Sequence, residues 1–157
     1  MTAPDVVLRT MELGDAAAIA ILMAEHPLWQ NAGLVERAAI IEHRLRGREY
    51  GLVAEMQDGS TRRMDGFIMM ADGTFGDHGY IRILGVRSGE IGRGLGARLL
   101  HEGERTMHDR GMQAMFLLCT DWNGAAQAFY ERHGYRRVGA LPDWLFGGVS
   151  EYIYVKR

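Results

Sequence analysis

The sequence predicts a mixed α/β fold: a central, mostly antiparallel sheet with one parallel pair of strands and about four flanking helices. Three observations carry this. Short apolar strands alternate with helical patterns along the whole chain. The runs 51–56 and 66–71 face each other across Asp58-Gly59-Ser60, as the two arms of a hairpin do. The apolar run Tyr80 to Val86 enters a glycine-rich turn, leaves it as an amphipathic helix, and is followed by a second apolar strand, the pattern of a right-handed parallel crossover. With 157 residues and no linker, repeat or low-complexity segment, residues 1–157 are expected to form one domain.

Val6-Val7-Leu8-Arg9 reads as the first strand. Gly14-Asp15 precedes an Ala/Ile/Leu-rich helix, with Asp15 as N-cap and an end near His26-Pro27. Leu28-Trp29-Gln30-Asn31 reads as a loop. A second helix fits Leu34 to Arg46, with Leu34, Ala38, Ile41 and Leu45 on one face. After the hairpin, Asp72-Gly73 and Gly76-Asp77 punctuate the approach to the Tyr80 strand. The long helix runs from about Gly94 to Arg110, with Gly111 as its C′ residue, and Ala114 to Cys119 is a buried strand. A shorter helix begins at Asn123 or Gly124 and stops at His133-Gly134. Tyr135 to Gly139 and Ser150 to Val155 are the last strands. In the final one Glu151, Ile153 and Val155 alternate with Tyr152 and Tyr154, which predicts a semi-exposed aromatic face and a homodimer.

Composition excludes several functions. A formal net charge of −2 argues against a nucleic-acid binder. No window approaches the roughly 20 apolar residues of a spanning helix and no secretory leader is visible, so a cytoplasmic protein with no membrane partner is expected. The single Cys119 sits in an apolar run and reads as a core residue. The six histidines show no ligand spacing, so no metal is expected.

Gly92, Gly94 and Gly96 lie between the Tyr80 strand and the long helix. Residues without a Cβ can take positive φ and bring N–H groups close to an anion at a helix N-terminus, and Arg93 adds a mobile positive charge. The same spacing also serves as a purely steric strand-to-helix turn. A dinucleotide fingerprint is disfavoured, because the turn follows an antiparallel meander and no repeated βαβ unit precedes it.

The turn Ile91-Gly92-Arg93-Gly94-Leu95-Gly96-Ala97, the downstream Asn123-Gly124-Ala125-Ala126-Gln127-Ala128-Phe129-Tyr130 and Gly134-Tyr135, and the order of elements together resemble the GNAT superfamily of acetyl-CoA-dependent N-acetyltransferases. The likeness spans essentially the whole chain and is most specific over residues 84–139. Ile91 stands where the family usually has Gln or Arg, and Ser88 where Pro is common.

The resemblance implies a GNAT-like fold with a splayed parallel strand pair and acetyl transfer from acetyl-CoA, as cosubstrate, to a primary amine of a small molecule or peptide. It implies backbone amides of Arg93, Gly94, Gly96 and Ala97 at the CoA pyrophosphate, Leu84 and Val86 at the pantetheine arm and acetyl carbonyl, and Asn123 at the pantetheine. Asn123 serves equally as a plain N-cap. Tyr130 takes the position of the general acid for the CoA thiolate, and the Val86 N–H that of the oxyanion donor; as an isolated pair, Phe129 and Tyr130 would read as core. No motif selects a general base among Glu25, His26, Glu55, Asp77, His78 and Asp121. Trp29 and Trp144 are candidates for the acceptor wall, whereas Phe146 is expected to pack in a core or interface. A non-catalytic acyl-CoA sensor of the same fold is the alternative.

Overall fold

A computed structural model describes residues 5–31 and 36–157. Leu34, placed by its periodicity in the second helix, lies outside the described residues. The strands are β1 (Asp5–Thr10), β2 (Glu49–Asp58), β3 (Thr61–Phe75), β4 (His78–Val86), β5 (Ala114–Thr120), β6 (Arg136–Pro142) and β7 (Ser150–Lys156). The helices are α1 (Ala16–Glu25), α2 (Pro27–Asn31), α3 (Ala38–Arg46), α4 (Leu95–Asp109) and α5 (Gly124–Arg132). The seven strands form a sheet of order β1-β2-β3-β4-β5-β7-β6. β4 and β5 run parallel across α4, as predicted, while β1–β2, β5–β7 and β6–β7 are antiparallel. The chain divides into two compact units, Met1–Met70 with Ile83–Arg105 and Ala71–Arg82 with Thr106–Arg157.

In the first unit α1 buries Ala16, Ile19, Leu22 and Met23, a helical spacing that sets them against Ile41 of α3 and Val53, Met64, Phe67 and Met69 of the sheet. Asp15 stands at the N-cap position of α1, as predicted, but its side chain makes no cap hydrogen bond there. Its side chain is instead drawn back to the Glu12 N–H (2.7 Å) in a capping box that opens the short 3-10 turn Leu13–Asp15, and to the Arg9 guanidinium at 2.8 Å. Burial opposes ionisation of Asp15, but these bonds outweigh it and hold its pKa below the ordinary carboxylate value. Arg9 also binds buried Glu55 at 2.7 Å.

The expected loop 28–31 is the helix α2. His26 has extended backbone, as a residue before proline prefers, and Pro27 supplies a first helical residue that needs no N–H partner. The His26 carbonyl then accepts from the Trp29 and Gln30 N–H groups, each at 3.1 Å. This seats Trp29 over Gly85 of β4. A Cβ added to Gly85 would overlap the Trp29 ring and come within 2.7 Å of Phe67, so glycine is required by the close approach.

A chain of charges runs beneath the end of β4. Asp65, fully buried, takes Arg63 at 2.6 Å and Arg87 at 3.3 Å. Arg87 also bonds the Met64 carbonyl and Glu25, and its N–H donates to the Asp65 carbonyl at 2.7 Å.

In the second unit α4 ends in a Schellman motif: the Gly111 N–H donates to the His108 carbonyl and Met112 to Met107, with Gly111 at φ 89°. Gly79 leaves room for the thioethers of Met107 and Met115. β3 runs on to Phe75, so only Gly76-Asp77, and not Asp72-Gly73, forms the turn into β4.

The predicted aromatic face of β7 is not formed. Tyr154 is buried, and its hydroxyl donates to Glu131 of α5 at 3.0 Å; Glu151 is buried as well. The strand pairs with β5 on one edge and β6 on the other, and Tyr154 lies on the face that meets α5. β6 carries a bulge at the exposed Val138, between Arg137 opposite Tyr154 and Gly139 opposite Ile153.

Replacing Gly85 by Val forces the Trp29 ring away from β4. The expected loss is about 1–3 kcal/mol of unfolding free energy in urea titration; an unchanged midpoint would show that Trp29 does not press on this strand.

Candidate functional site

β4 gives way at Arg87 to a 3-10 turn (Ser88–Glu90), then to a turn over residues 91–94 and to α4. Gly92 and Gly94 sit at φ 81° and 84°, a region that side-chain-bearing residues avoid, so the positive φ expected of these two glycines is found. The first intrahelical bond runs from the Arg98 N–H to the Gly94 carbonyl. The N–H groups of Gly94, Gly96 and Ala97 therefore have no backbone carbonyl among the described residues and stand open at the positive end of the helix dipole. Arg93 differs from its expected part. Its N–H turns back to the Glu90 carbonyl at 3.4 Å, and its guanidinium pairs with the Glu90 carboxylate at 3.0 Å. Glu90 also receives Arg63 at 3.3 Å, so the turn is tied to the charge chain around Asp65. Ile91 is 59% exposed, the setting of a side chain with no packing role.

Leu84 and Val86 are half-buried near the end of β4. The ladder between β4 and β5 extends only from the His78–Ala114 pair to Ile81–Leu117, so both residues lie beyond its last rung.

At the other end of the chain, β5 leads into α5 through Asp121-Trp122-Asn123. Asn123 is a true N-cap: its Oδ1 accepts the Ala126 N–H at 3.2 Å, which leaves its amide NH2 as the group that can serve a ligand. Gln127 secures the turn by donating to the Thr120 and Asp121 carbonyls. Tyr130 is 8% exposed and packs edge-on against Phe129 and Tyr135. Burial, with smaller contributions from Cys119 and Tyr80, pushes its phenol well above the ordinary value. It keeps its proton at neutral pH and can act only as a donor or acid. Cys119 lies in the same surroundings, where burial and the Glu151 charge push the thiol up to about 12.

Most of the acids and bases without a motif are already engaged. Glu25 is held by Arg87 at 2.8 Å, Glu55 by Arg9 and Arg62, and Asp77 by His78 at 3.0 Å. Asp121 accepts the Ser150 N–H at 2.9 Å. Burial lowers the pKa of His26, which stacks against Trp29 with ring centroids 4.8 Å apart and leaves its Nδ1 unpartnered. Trp29 is half-buried against the core, whereas Trp144 is 60% exposed in the β6–β7 loop. That loop is shaped by Asp143 at φ 53°, whose carboxylate takes the Gly148 N–H at 2.6 Å. Phe146, expected to be packed away, is exposed there, because seven residues between paired strands leave it no core to enter. The residue that sequence reasoning missed is Glu151, a buried carboxylate bonded to a neutral hydroxyl. Its one signal was an acid opening an otherwise apolar and aromatic strand.

Among the described residues no cluster of three or more metal-ligating side chains is formed, and no helix is long and apolar enough to cross a membrane.

A family profile described as the acetyltransferase (GNAT) family matches residues 18–135. The chain belongs to this family. N-alpha-acetyltransferase 30 of Schizosaccharomyces pombe is 31% identical over 77 residues, which are 49% of this chain and 51% of that protein, so the chain spans about half the length of this curated relative. The ribosomal-protein-S18-alanine N-acetyltransferase of Escherichia coli superposes with a TM-score of 0.78 at 17% identity, over 97% of this chain and 93% of that one. PaiA N-acetyltransferase of Thermoplasma acidophilum, solved with coenzyme A, gives 0.73 at 18% identity, over 98% and 99%. These likenesses establish the GNAT fold.

With its pKa near 12, the Cys119 thiol is roughly one part in 10⁴ thiolate at pH 8. Native protein should therefore resist a disulfide reagent at that pH and react promptly in urea; rapid native labelling would show the thiol to be exposed.

Proposed function

We propose that the protein transfers an acetyl group from acetyl-CoA to a primary amine. The observation that carries this reading is the open row of N–H groups at Gly94, Gly96 and Ala97, set by two left-handed glycines at the head of a 15-residue helix in a chain of the GNAT family. Such a row binds the pyrophosphate of CoA, and no Cβ fills the space before Gly92 or Gly94. Acetyl-CoA, when bound, supplies an activated thioester.

The chain's own groups do the rest. Leu84 and Val86, past the last rung of the β4–β5 ladder, offer strand edges to the pantetheine amides, and the Asn123 NH2 donates to the same arm. The Val86 N–H is the oxyanion donor. Tyr130, protonated by virtue of its burial, donates its hydroxyl hydrogen towards the departing sulfur. The acceptor favoured is the α-amine of a peptide, on the strength of the N-alpha-acetyltransferase relative and the ribosomal-protein-alanine N-acetyltransferase of like fold. The exposed Trp144, Leu145 and Phe146 of the β6–β7 loop suit an apolar peptide side chain.

Gly94→Val places a β-branched residue at φ 84° and a Cβ in front of the amides, and calorimetric acetyl-CoA affinity should fall at least tenfold. Arg93→Ala, which removes an exposed side chain already paired with Glu90, should cost about 1 kcal/mol or less. Equal affinities for the wild type and the Gly94 variant would remove the turn from the binding site.

Tyr130→Phe keeps the ring and its packing. It should lower kcat by roughly 10²- to 10⁴-fold in a thiol-release assay with a panel of peptide and small-molecule amines, while acetyl-CoA binding is retained. Near-normal turnover would assign the proton to another group, and binding without turnover in either protein would mark a non-catalytic acyl-CoA sensor.

A further inference from the structure

Most carboxylates near the described sites are neutralised by arginine, but Glu151 is not. It is 3% exposed, and its Oε1 accepts the Thr120 hydroxyl at 2.9 Å, while Oε2 takes no hydrogen bond among the described residues. Buried carboxylates ordinarily have a cationic partner or several donors, because an ion in low dielectric is expensive to leave uncompensated. A single neutral hydroxyl on one oxygen is a structure that tolerates a carboxylate ready to become a carboxylic acid.

Its placement is specific. In the β5–β7 ladder Thr120 pairs with Glu151, Leu118 with Ile153 and Phe116 with Val155, which sets Thr120 and Glu151 on one face. Leu117 and Tyr154 occupy the other, and the bond from Tyr154 to Glu131 marks that second face as the side of α5. Glu151 thus opens on the face opposite the helix that carries Tyr130. Its backbone is fixed by neighbours: the Asp121 N–H donates to the Ser150 carbonyl and the Ser150 N–H to the Asp121 carboxylate, both at 2.9 Å. Leu141 of β6 is opposite on the far edge and does not titrate. The seven-residue loop with Trp144, Leu145 and Phe146 exposed ends immediately before β7, whose second residue is Glu151. The titratable groups that act on Glu151 and its surroundings are Asp121 and Cys119. Burial first, and then the Asp121 charge, raise the Glu151 pKa against the opposing bond from Thr120.

Resting on the acetyltransferase reading, we propose that Glu151 is the general base of the reaction, taking a proton on Oε2 from the acceptor ammonium. The N–H bond of R–NH3⁺ breaks, Oε2–H forms, and the neutral amine so released forms the C–N bond as the C–S bond breaks. The sulfur leaves with the proton of Tyr130, the second proton lost by the attacking nitrogen as the amide forms passes through water to the tyrosinate and restores the phenol, and the Glu151 carboxylic acid returns its proton to solvent. Neither redox agent nor metal is needed.

The test compares wild type with Glu151→Gln, which keeps the size of the side chain and an oxygen for Thr120, using saturating acetyl-CoA and peptide α-amines. At neutral pH kcat should fall roughly 10²- to 10⁴-fold, with acetyl-CoA affinity and unfolding temperature unchanged. A base works only when deprotonated, so wild-type kcat falls as pH drops through the raised Glu151 pKa. The Gln variant loses that limb, and its deficit shrinks as pH approaches that at which the amine is neutral without help. Glu151→Asp should recover part of the rate. Thr120→Val provides a second reading should the Gln variant fold poorly: without the hydroxyl, the acidic limb moves to higher pH while the plateau kcat holds. A Gln variant within threefold of wild type at every pH, or an acidic limb unmoved by Thr120→Val, overturns the proposal and leaves the acetyltransferase reading intact. A wild type that neither binds acetyl-CoA nor releases thiol overturns both.

Discussion

A carboxylate with no exposure to solvent must find its counter-charge within the fold, and Asp65 finds it in Arg63 and Arg87. Much of the first unit's functional end follows from that requirement. Arg87 is the residue at which β4 stops, and its N–H, fastened to the Asp65 carbonyl, sets where the chain leaves the sheet. Arg63 reaches on to Glu90, and Glu90 holds Arg93, so the glycine turn is anchored from below by a continuous line of alternating charge. The turn itself contributes no large side chain to a core. Its shape rests on two backbone angles that only glycine adopts at little cost, and on this anchorage.

The same demand for compensation separates structural acids from reactive ones. Glu25, Glu55, Asp15 and Glu90 each face an arginine, which fixes them in place. Glu151 faces a threonine hydroxyl. Burial raises its pKa, and a proton can be accepted there without breaking an ion pair that the fold needs.

Burial acts on the phenol and the thiol in the same sense as on Glu151. Tyr130 and Cys119 share an apolar environment that penalises their anions, so both retain hydrogen at neutral pH. For the cysteine this removes nucleophilic character. For the tyrosine it preserves a donor, carried on a helix capped by Asn123 and packed edge-on against Phe129 and Tyr135.

The sequence by itself determined what depends on neighbours along the chain. The left-handed glycines at 92 and 94, the stop at Gly111, the Asn123 cap and the strand–helix–strand order around α4 are local preferences of backbone angle and hydrogen bonding, visible without knowledge of the fold. The candidate ligand amides were legible for the same reason, Arg93 excepted, since its partner Glu90 lies in a turn whose geometry is not periodic. Only the tertiary structure decided the rest. Asp15 looked like a cap until Arg9, brought alongside, drew it away; the 28–31 segment became helical where His26 and Pro27 gave it a start and Gly85 gave Trp29 a seat. Tyr154 was buried on the face that meets α5, and the pairing of Thr120 with Glu151, 31 residues apart, created a carboxylate environment that no local pattern encodes. Such contacts arise from register between distant strands, which a linear sequence constrains only weakly.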